Sequence, residues 1–281
     1  MRTSGDLRCR PLLVWRSGIL GRLPSCIDHA IVDAITGVGR NGWGAALLMR
    51  DVSEALVPEG DTPISLEQHT RFIDHMAALH AAYWGWKDTI GLTSPMTRYL
   101  EFNPVGIGLE ANRGWPDAVP PLIIEGWAKL VTVAGPLGAS ILELTRDPSP
   151  LVTAMATLPQ TFVHGDWKLG NLGSLPDGRT VLLDWAMPGE ACPTAELAWY
   201  LALNVARLPH SKDDTIALYR KSLERHGIST AGWWERSIAL ALLGGAVNFG
   251  WEKALGGQGA ELSWWLDRAE EGQRWLEREG R

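Results

Sequence analysis

The chain has 281 residues, of which 46% are hydrophobic and 21% charged, enough for a large core in one big domain or two lobes. Its formal net charge of −6 argues against a nucleic-acid binder that works through a basic face. Three scattered cysteines exclude a disulfide framework and a thiolate zinc site, and they suit a cytoplasmic protein. Because no apolar run reaches the roughly 18 residues that span a bilayer, we expect no membrane partner.

The N-terminal part of the chain predicts one helix followed by a β-hairpin. Apolar residues between positions 12 and 20 indicate the helix, which should end near Gly21. Residues 29–36 are rich in β-branched side chains and predict a strand, and residues 43–49 predict a second strand. The glycine-rich turn between them favours an antiparallel hairpin.

Most of the remaining chain predicts helices. Ser65 and Gln68 form a capping box that begins a helix expected to end near Trp84. Residues 85–120 are rich in Gly, Pro and Asn and predict an irregular, partly helical segment. Further helices are predicted over residues 121–133, 136–144, 195–208, 211–227, 230–255 and 260–279.

The polar residues that could carry chemistry lie between positions 161 and 201. The turn signal Pro-Asp-Gly at 176–178 predicts a hairpin whose loop is the last two of these residues. In that register Asn171 lies directly opposite Asp184, and their amide and carboxylate oxygens could hold one hard cation. A slip of one residue would undo this pairing.

Asp166 lies five positions before Asn171, on a short loop that follows the apolar run 161–163. A carboxylate in that position can receive a proton from a bound hydroxyl group. The alternative interpretation is a solvated loop aspartate and a turn-forming asparagine.

The segment from Asp166 to Asn171 resembles the catalytic loop of the protein-kinase-like phosphotransferases, whose pattern is Asp, four residues, Asn. Asp184 matches the metal-binding Asp on the hairpin that follows this loop. The His-Gly-Asp form, with Asp-Trp in place of Asp-Phe-Gly, is similar to the aminoglycoside phosphotransferase and choline kinase branch. The resemblance covers roughly Trp43 to the C-terminus, and it is specific only across 161–201.

The resemblance implies an α+β, protein-kinase-like two-lobed fold. Residues 1–57 would form a truncated small β lobe that binds nucleotide, and residues 58–281 a large, mainly helical catalytic and substrate lobe containing the catalytic β-hairpin. It also implies ATP-dependent transfer of the γ-phosphate to a hydroxyl of a small molecule, with Mg²⁺ as cofactor. Asp166 would be the catalytic base, and Asn171 and Asp184 would hold the Mg²⁺.

The same resemblance assigns further residues. Nucleotide-binding positions are expected in the hinge after the N-terminal hairpin and in the catalytic loop, at Met49, Asp51, Val52 and Lys168. His164 is expected to hydrogen-bond the loop rather than to react. Glu196, where the branch usually has an Asp, is expected to accept backbone N–H bonds from the loop.

The sequence departs from the family before the hinge. The first lysine is Lys87, and no Gly-x-Gly-x-x-Gly precedes it, so the strand Lys and the Gly-rich loop have no match. Truncation of the lobe and a degenerate family member both explain this. One alternative function is therefore a catalytically impaired, pseudokinase-like binding protein. Another is a metal-dependent hydrolase that uses His164, Asp166 and Asp184 as ligands.

The sequence leaves the substrate and the oligomeric state open. Aminoglycosides, choline-like amines, sugars and amino-acid alcohols all fit the resemblance. The chain contains 15 Trp, typical of core packing, with an aromatic cage for a quaternary ammonium as the alternative.

Overall fold

The structure is a computed structural model that describes residue 6 and residues 8–279. Its α-helices are α1 Arg10–Arg16, α2 Leu66–Ala82, α3 Pro95–Leu100, α4 Pro104–Ala111, α5 Val119–Arg146, α6 Ser149–Ala156, α7 Pro193–Asn204, α8 Lys212–Arg225, α9 Trp234–Leu255 and α10 Ala260–Glu279. Its strands are β1 Ile27–His29, β2 Ile31–Val38, β3 Gly44–Met49, β4 Thr161–Val163, β5 Leu172–Ser174, β6 Thr180–Leu182 and β7 Gly189–Ala191. Helices with a few short strands confirm the predicted α+β class.

The described chain divides into two compact units. The β-containing unit comprises residues 6–93 and 160–231, and the helical unit comprises residues 94–159 and 232–279. Residues 57 and 58, where the sequence predicts the boundary between lobes, both lie inside the β-containing unit, and that division stays a prediction.

The β-containing unit holds all the strands of the described chain, in three small sheets. The predicted antiparallel hairpin is present as β2 and β3, with two register shifts along it. β5 and β6 form the second predicted hairpin, and β4 pairs with β7. β1 adds to β6 in parallel, a pairing that the sequence did not predict because it joins segments far apart in the chain.

The register of the hairpin β5–β6 differs by one residue from the prediction. Leu172 pairs with Leu182, and Ser174 pairs with Thr180. The backbone N–H of Leu175 donates to the carbonyl of Arg179, so three residues form the loop instead of two. Gly178 has φ of 88°, the left-handed conformation that ends a three-residue hairpin loop. The predicted pairing of residues 171 and 184 is therefore wrong.

Helices α2 and α7 form the core of the β-containing unit. The predicted cap of α2 is present, since the Ser65 side chain accepts a hydrogen bond from the N–H of Gln68 at 3.1 Å. Four apolar residues on one side of α2 are completely buried: Phe72, Ile73, Met76 and Leu79. Almost every residue of α7 is buried, which agrees with its nearly continuous apolar sequence.

The helical unit is built around α9, whose residues 237–250 are all buried. Its helix α5 contains Gly135 in a non-helical conformation (φ 53°, ψ −129°) just before Pro136, so the two helices predicted there are joined across a kink. A side chain at Gly126 of α5 would collide with the backbone of Trp251 on α9. This glycine therefore allows the two helices to approach closely.

By length and composition alone, α5 is the one helix of the described residues that could cross a membrane. The sequence prediction treated it as two shorter segments and did not anticipate this. A single such helix is weak evidence, because α5 also has a buried face at helical spacing that includes Ile123, Trp127, Leu130 and Ile141.

Candidate active site

The catalytic-loop candidate leaves β4 and places the Asp166 carboxylate in a nearly buried position, 6% exposed. Three donors surround it. The indole Nε1 of Trp199 donates to Oδ1 at 2.9 Å, and the Nδ2 of Asn171 donates to Oδ2 at 2.8 Å. The Nζ of Lys168 lies 2.7 Å from the same Oδ2. Both carboxylate oxygens are thus held in defined directions.

Asn171 lies at the end of a short 3₁₀ turn, Leu169–Asn171, and is 7% exposed. Its Nδ2 also donates to the backbone carbonyl of Asp166 at 3.0 Å. Because both contacts are to acceptors, the amide nitrogen must face Asp166 and the amide oxygen Oδ1 faces away. That oxygen is the atom available to a cation.

Asp184 follows β6 and has a positive φ of 57°, uncommon for a residue other than glycine. The corrected register puts Leu183 opposite Asn171, and the N–H of Leu183 donates to the Asn171 carbonyl at 2.9 Å. Asp184 is therefore the next residue beyond this contact, where the left-handed turn redirects the chain. Its side chain is exposed, and within residues 8–279 it has no hydrogen bond or ion pair.

His164 joins the loop to the segment that carries Asp184. Its Nε2 lies 2.9 Å from the carbonyl of Leu183, which only accepts, so this nitrogen carries the proton. Nδ1 then accepts from the N–H of Asp166 at 3.3 Å. Burial lowers the pKa of His164, although the neighbouring carboxylates, Glu196 foremost, oppose this shift. A neutral, doubly hydrogen-bonded His164 positions backbone and has no free nitrogen for a metal.

Glu196 lies near the start of α7 and is completely buried. Its carboxylate accepts the backbone N–H groups of His164, at 3.3 Å, and of Gly165. The contact that the sequence predicted for Glu196 is therefore present. Its Oε2 also lies 2.8 Å from the Nε2 of His80, whose Nδ1 contacts the hydroxyl of Tyr219. Burial raises the pKa of Glu196, but His80, His164 and the backbone N–H of Gly165 together outweigh this, and the pKa lies below its ordinary value.

Two loop-holding residues on α7, Trp199 and Asn204, were not predicted from the sequence. Besides Trp199, Asn204 accepts a hydrogen bond from the backbone N–H of Leu169 at 2.9 Å. Trp199 and Asn204 follow Glu196 by three and eight positions, and all three side chains contact the loop. A polar Asn204 in a helix that is otherwise apolar was a signal that could have found that residue, whereas Trp199 gave none.

The segment after Asp184 is held by α1. The Nη1 of Arg10 donates to the carbonyl of Ala186 at 3.0 Å, and Asp6 accepts the backbone N–H of Arg10 at 3.0 Å. Arg10 is 7% exposed. This link also went unpredicted, since nothing local relates the two positions.

The predicted hinge residues Met49, Asp51 and Val52 precede a cleft and do not line it. Met49 and Asp51 are exposed, and Val52 is half-buried. The cleft has a volume of about 570 Å³ and is lined by Ser53, Glu54, Leu56, Val57, Pro58, Glu59, Gly60, Gly170 and Arg207. The residues after the hinge thus share a cleft with the catalytic-loop candidate through Gly170.

The donor set at Asn171 and Asp184 fits a hard divalent cation. It offers an amide oxygen turned away from Asp166 and an exposed carboxylate, the ligand types that Mg²⁺ takes. Among the described residues no group of three or more His, Cys, Asp and Glu is arranged to hold a metal. Both nitrogens of His164 are engaged in hydrogen bonds, which speaks against His164 as the ligand that the hydrolase alternative requires.

Comparison with solved structures identifies the fold. The microcompartment-associated aminopropanol kinase superposes on 97% of this chain and 83% of its own, with a TM-score of 0.53 and 11% identity. The chain shares the fold of a small-molecule kinase. At this identity the likeness concerns the fold alone, and it confirms the kinase-like fold predicted from the sequence.

Other similar structures have lower TM-scores. The choline kinase LicA from Streptococcus pneumoniae has a TM-score of 0.48 and 14% identity, over 98% of this chain and 83% of that one. An aminoglycoside phosphotransferase from Alicyclobacillus acidocaldarius has a TM-score of 0.45 and 16% identity, over 96% and 81%. Neither a protein-family model nor a curated protein matches the sequence.

Proposed function

We propose that this protein transfers the γ-phosphate of ATP to a hydroxyl group of a small molecule. The observation that carries the proposal is the nearly buried Asp166 carboxylate, held by three donors beside Asn171, on the loop of a kinase-like fold. A base that is fixed in direction before the substrate arrives is what proton transfer requires.

In this mechanism Asp166 accepts the proton of the acceptor hydroxyl. The hydroxyl oxygen bonds to the γ-phosphorus, and the bond from phosphorus to the bridging oxygen breaks, so that ADP leaves with the electron pair. Lys168, which pairs with Asp166 and is 39% exposed, can turn its ammonium toward the transferred phosphate. Lys168 is thus the nucleotide-binding residue of the loop.

Asn171 and Asp184 would hold Mg²⁺ through their oxygen atoms, and the cation would neutralise negative charge on the phosphates. Asn171 keeps its amide oxygen turned away from Asp166, which separates the cation-binding atom from the base. His164 links the backbone of the two segments.

The cleft beside Gly170 is the proposed site for the ribose and base of the nucleotide. Met49, Asp51 and Val52 lead into it, and seven residues between Ser53 and Gly60 line it together with Gly170 and Arg207. Among these, Glu54 and Glu59 supply hydrogen-bond acceptors suited to sugar hydroxyls.

An amino alcohol is the acceptor class to test first. The similar structures include an aminopropanol kinase and a choline kinase, and this chain carries a net charge of −6, which suits a cationic substrate.

The soluble, reducing cytoplasm is the proposed location of the protein, since no disulfide joins its three cysteines.

The first experiment measures transfer from ATP with Mg²⁺ to 1-amino-2-propanol, choline and kanamycin, by detection of the phosphorylated product. Asp166→Asn should lower turnover by roughly 100-fold or more and spare ATP binding. Loss of ATP binding in this variant, or unchanged turnover, would contradict the role assigned to Asp166.

A second candidate function is a binding protein with impaired catalysis. It is favoured by the sequence before the hinge, where no lysine precedes Lys87 to pair with the phosphates. A chain that binds ATP with Mg²⁺ and phosphorylates none of the acceptors, nor releases ADP in their presence, would favour this candidate.

A further inference from the structure

We propose that Trp199 is a positioning residue that decides which oxygen of Asp166 accepts the substrate proton. The inference deepens the proposed phosphotransfer and rests on it. It assigns a specific task to a tryptophan that the sequence pattern treats only as an apolar residue of α7.

The three donors to Asp166 differ in where they are anchored. Lys168 and Asn171, which contact Oδ2, belong to the same loop as Asp166 and move with it. Trp199, which contacts Oδ1 at 2.9 Å, belongs to a helix in the core. Among the described residues, the indole is therefore the one donor that fixes the carboxylate relative to a rigid element outside the loop.

The donors also differ in mobility. Trp199 is 6% exposed, and its planar ring is enclosed by the packing of α7. The Lys168 side chain is 39% exposed, and its flexible stem allows the ammonium to turn toward a phosphate. When Lys168 turns away, Oδ2 keeps the amide of Asn171, and the position that the ammonium held on the exposed side of Oδ2 becomes vacant. Oδ1 stays turned toward the buried indole of Trp199. Oδ2 is therefore the oxygen placed to accept the proton, and the indole holds Oδ1 toward the core.

The loop backbone does not depend on Trp199. Glu196 holds the N–H groups of His164 and Gly165, and Asn204 holds that of Leu169, all from α7. Removal of the indole N–H should consequently leave the backbone in place and release only the rotation of the Asp166 side chain. This predicts a defect in turnover without a defect in nucleotide binding.

The test is Trp199→Phe, which keeps an aromatic ring and removes the N–H. With the acceptor that the wild type phosphorylates best, kcat should fall by about 10- to 100-fold, as expected for a misdirected catalytic group. The KM for ATP and the thermal shift with ATP and Mg²⁺ should stay at their wild-type values. An unchanged kcat would overturn the proposal, and so would a rise in the KM for ATP that accounts for the whole defect.

Trp127→Phe is the matched control. Trp127 is also buried, and its Nε1 donates to the carbonyl of Phe102 at 2.9 Å, within the helical unit. Like Trp199→Phe, the variant Trp127→Phe loses a buried indole and one hydrogen bond, but it should keep the wild-type kcat. An equal fall of kcat in both variants would mean that general loss of packing explains the effect, and the proposal would fail.

A direct readout separates this inference from the proposed function. In ¹⁵N-labelled protein, the indole signal absent from Trp199→Phe belongs to Trp199. That signal should move in Asp166→Asn and stay in place in Asp33→Asn, which changes an exposed carboxylate on β2. If the Trp199 signal does not move in Asp166→Asn, the contact between Trp199 and Asp166 is absent and the proposal fails. A wild type without turnover on any acceptor refutes the proposed function, and with it the catalytic role of Trp199, even where the signal moves.

Discussion

The Oε2 atom of Glu196 lies 2.8 Å from the Nε2 of His80, and both side chains are completely buried. Through this contact α2 supports the same carboxylate that holds the backbone of the catalytic-loop candidate. The hydroxyl of Tyr219 on α8 contacts the other nitrogen of His80. Three helices are thus linked through His80 and this carboxylate, and removal of the carboxylate should affect both the fold and the loop.

Glu196→Gln should destabilise the protein by about 3 kcal/mol or more. The amide has one acceptor oxygen where the carboxylate has two, so a buried N–H or the ring of His80 loses its partner. Urea unfolding at pH 7 measures the change. Glu67→Gln is the control, because Glu67 is 81% exposed and its pair with Arg71 should contribute less than about 1 kcal/mol. Equal stability of the two variants would contradict the bracing role of Glu196.

Asp184→Asn should leave the free energy of unfolding without ligand within about 0.5 kcal/mol of the wild type. The side chain is exposed, and Asn tolerates the positive φ of this position well. A ligand at a concentration of about 100 times its Kd stabilises the folded protein by roughly 2.7 kcal/mol in total. Of this stabilisation by ATP, the variant should lose the part that depends on Mg²⁺. Thermal melts with ATP, with and without Mg²⁺, measure this. A full Mg²⁺ effect in the variant would argue against Asp184 as a ligand.

Arg10→Ala should weaken the hold on the segment after Asp184. The variant leaves the Ala186 carbonyl without this donor and removes a nearly buried side chain, which should cost about 1–3 kcal/mol. Arg16→Ala on the same helix is the matched control, since Arg16 is exposed and its contact with Thr36 should contribute little. Urea unfolding of both variants gives the comparison. If Arg10→Ala also raises the Mg²⁺ concentration needed for the ATP-dependent shift, the segment positions Asp184.

Because of His69, the protein should become less stable as the pH falls. The His69 ring contacts the hydroxyls of Tyr200 and Thr215, and burial, with His210 nearby, lowers its pKa to about 4. In the unfolded chain a histidine titrates near 6.5, so the unfolded state binds the proton more readily. The contribution is thus fully present above about pH 6.5 and is lost as the pH falls toward 4.

His69→Gln tests this pH dependence. Between pH 7 and pH 4 the wild type should lose up to about 3 kcal/mol more stability than the variant, as the shift of the pKa implies. Urea unfolding at several pH values gives both curves. Parallel curves for the two proteins would show that His69 is not buried in its neutral form.

Local sequence patterns determined most of the secondary structure. The capping box at Ser65, the hairpin β2–β3 and the helix Ala260–Glu279 follow from side-chain chemistry and spacing within a few residues. The register of β5–β6 did not follow, because the same Pro-Asp-Gly signal permits a loop of two residues or of three. Packing around the loop decided between them, and the difference of one residue moved Asp184 from a strand pair into a left-handed turn.

The sequence by itself also determined which residues are candidates for chemistry. These are Asp166, Asn171, Asp184 and the supporting Glu196, which lie in one short stretch with the spacing of a kinase-like catalytic loop. Only the tertiary structure decided what surrounds them. His80, Trp199 and Arg10 reach the site from α2, α7 and α1 through contacts between segments distant in the chain. Such contacts depend on how buried helices pack, and a buried tryptophan or histidine gives the same local pattern whether it fills the core or holds a carboxylate.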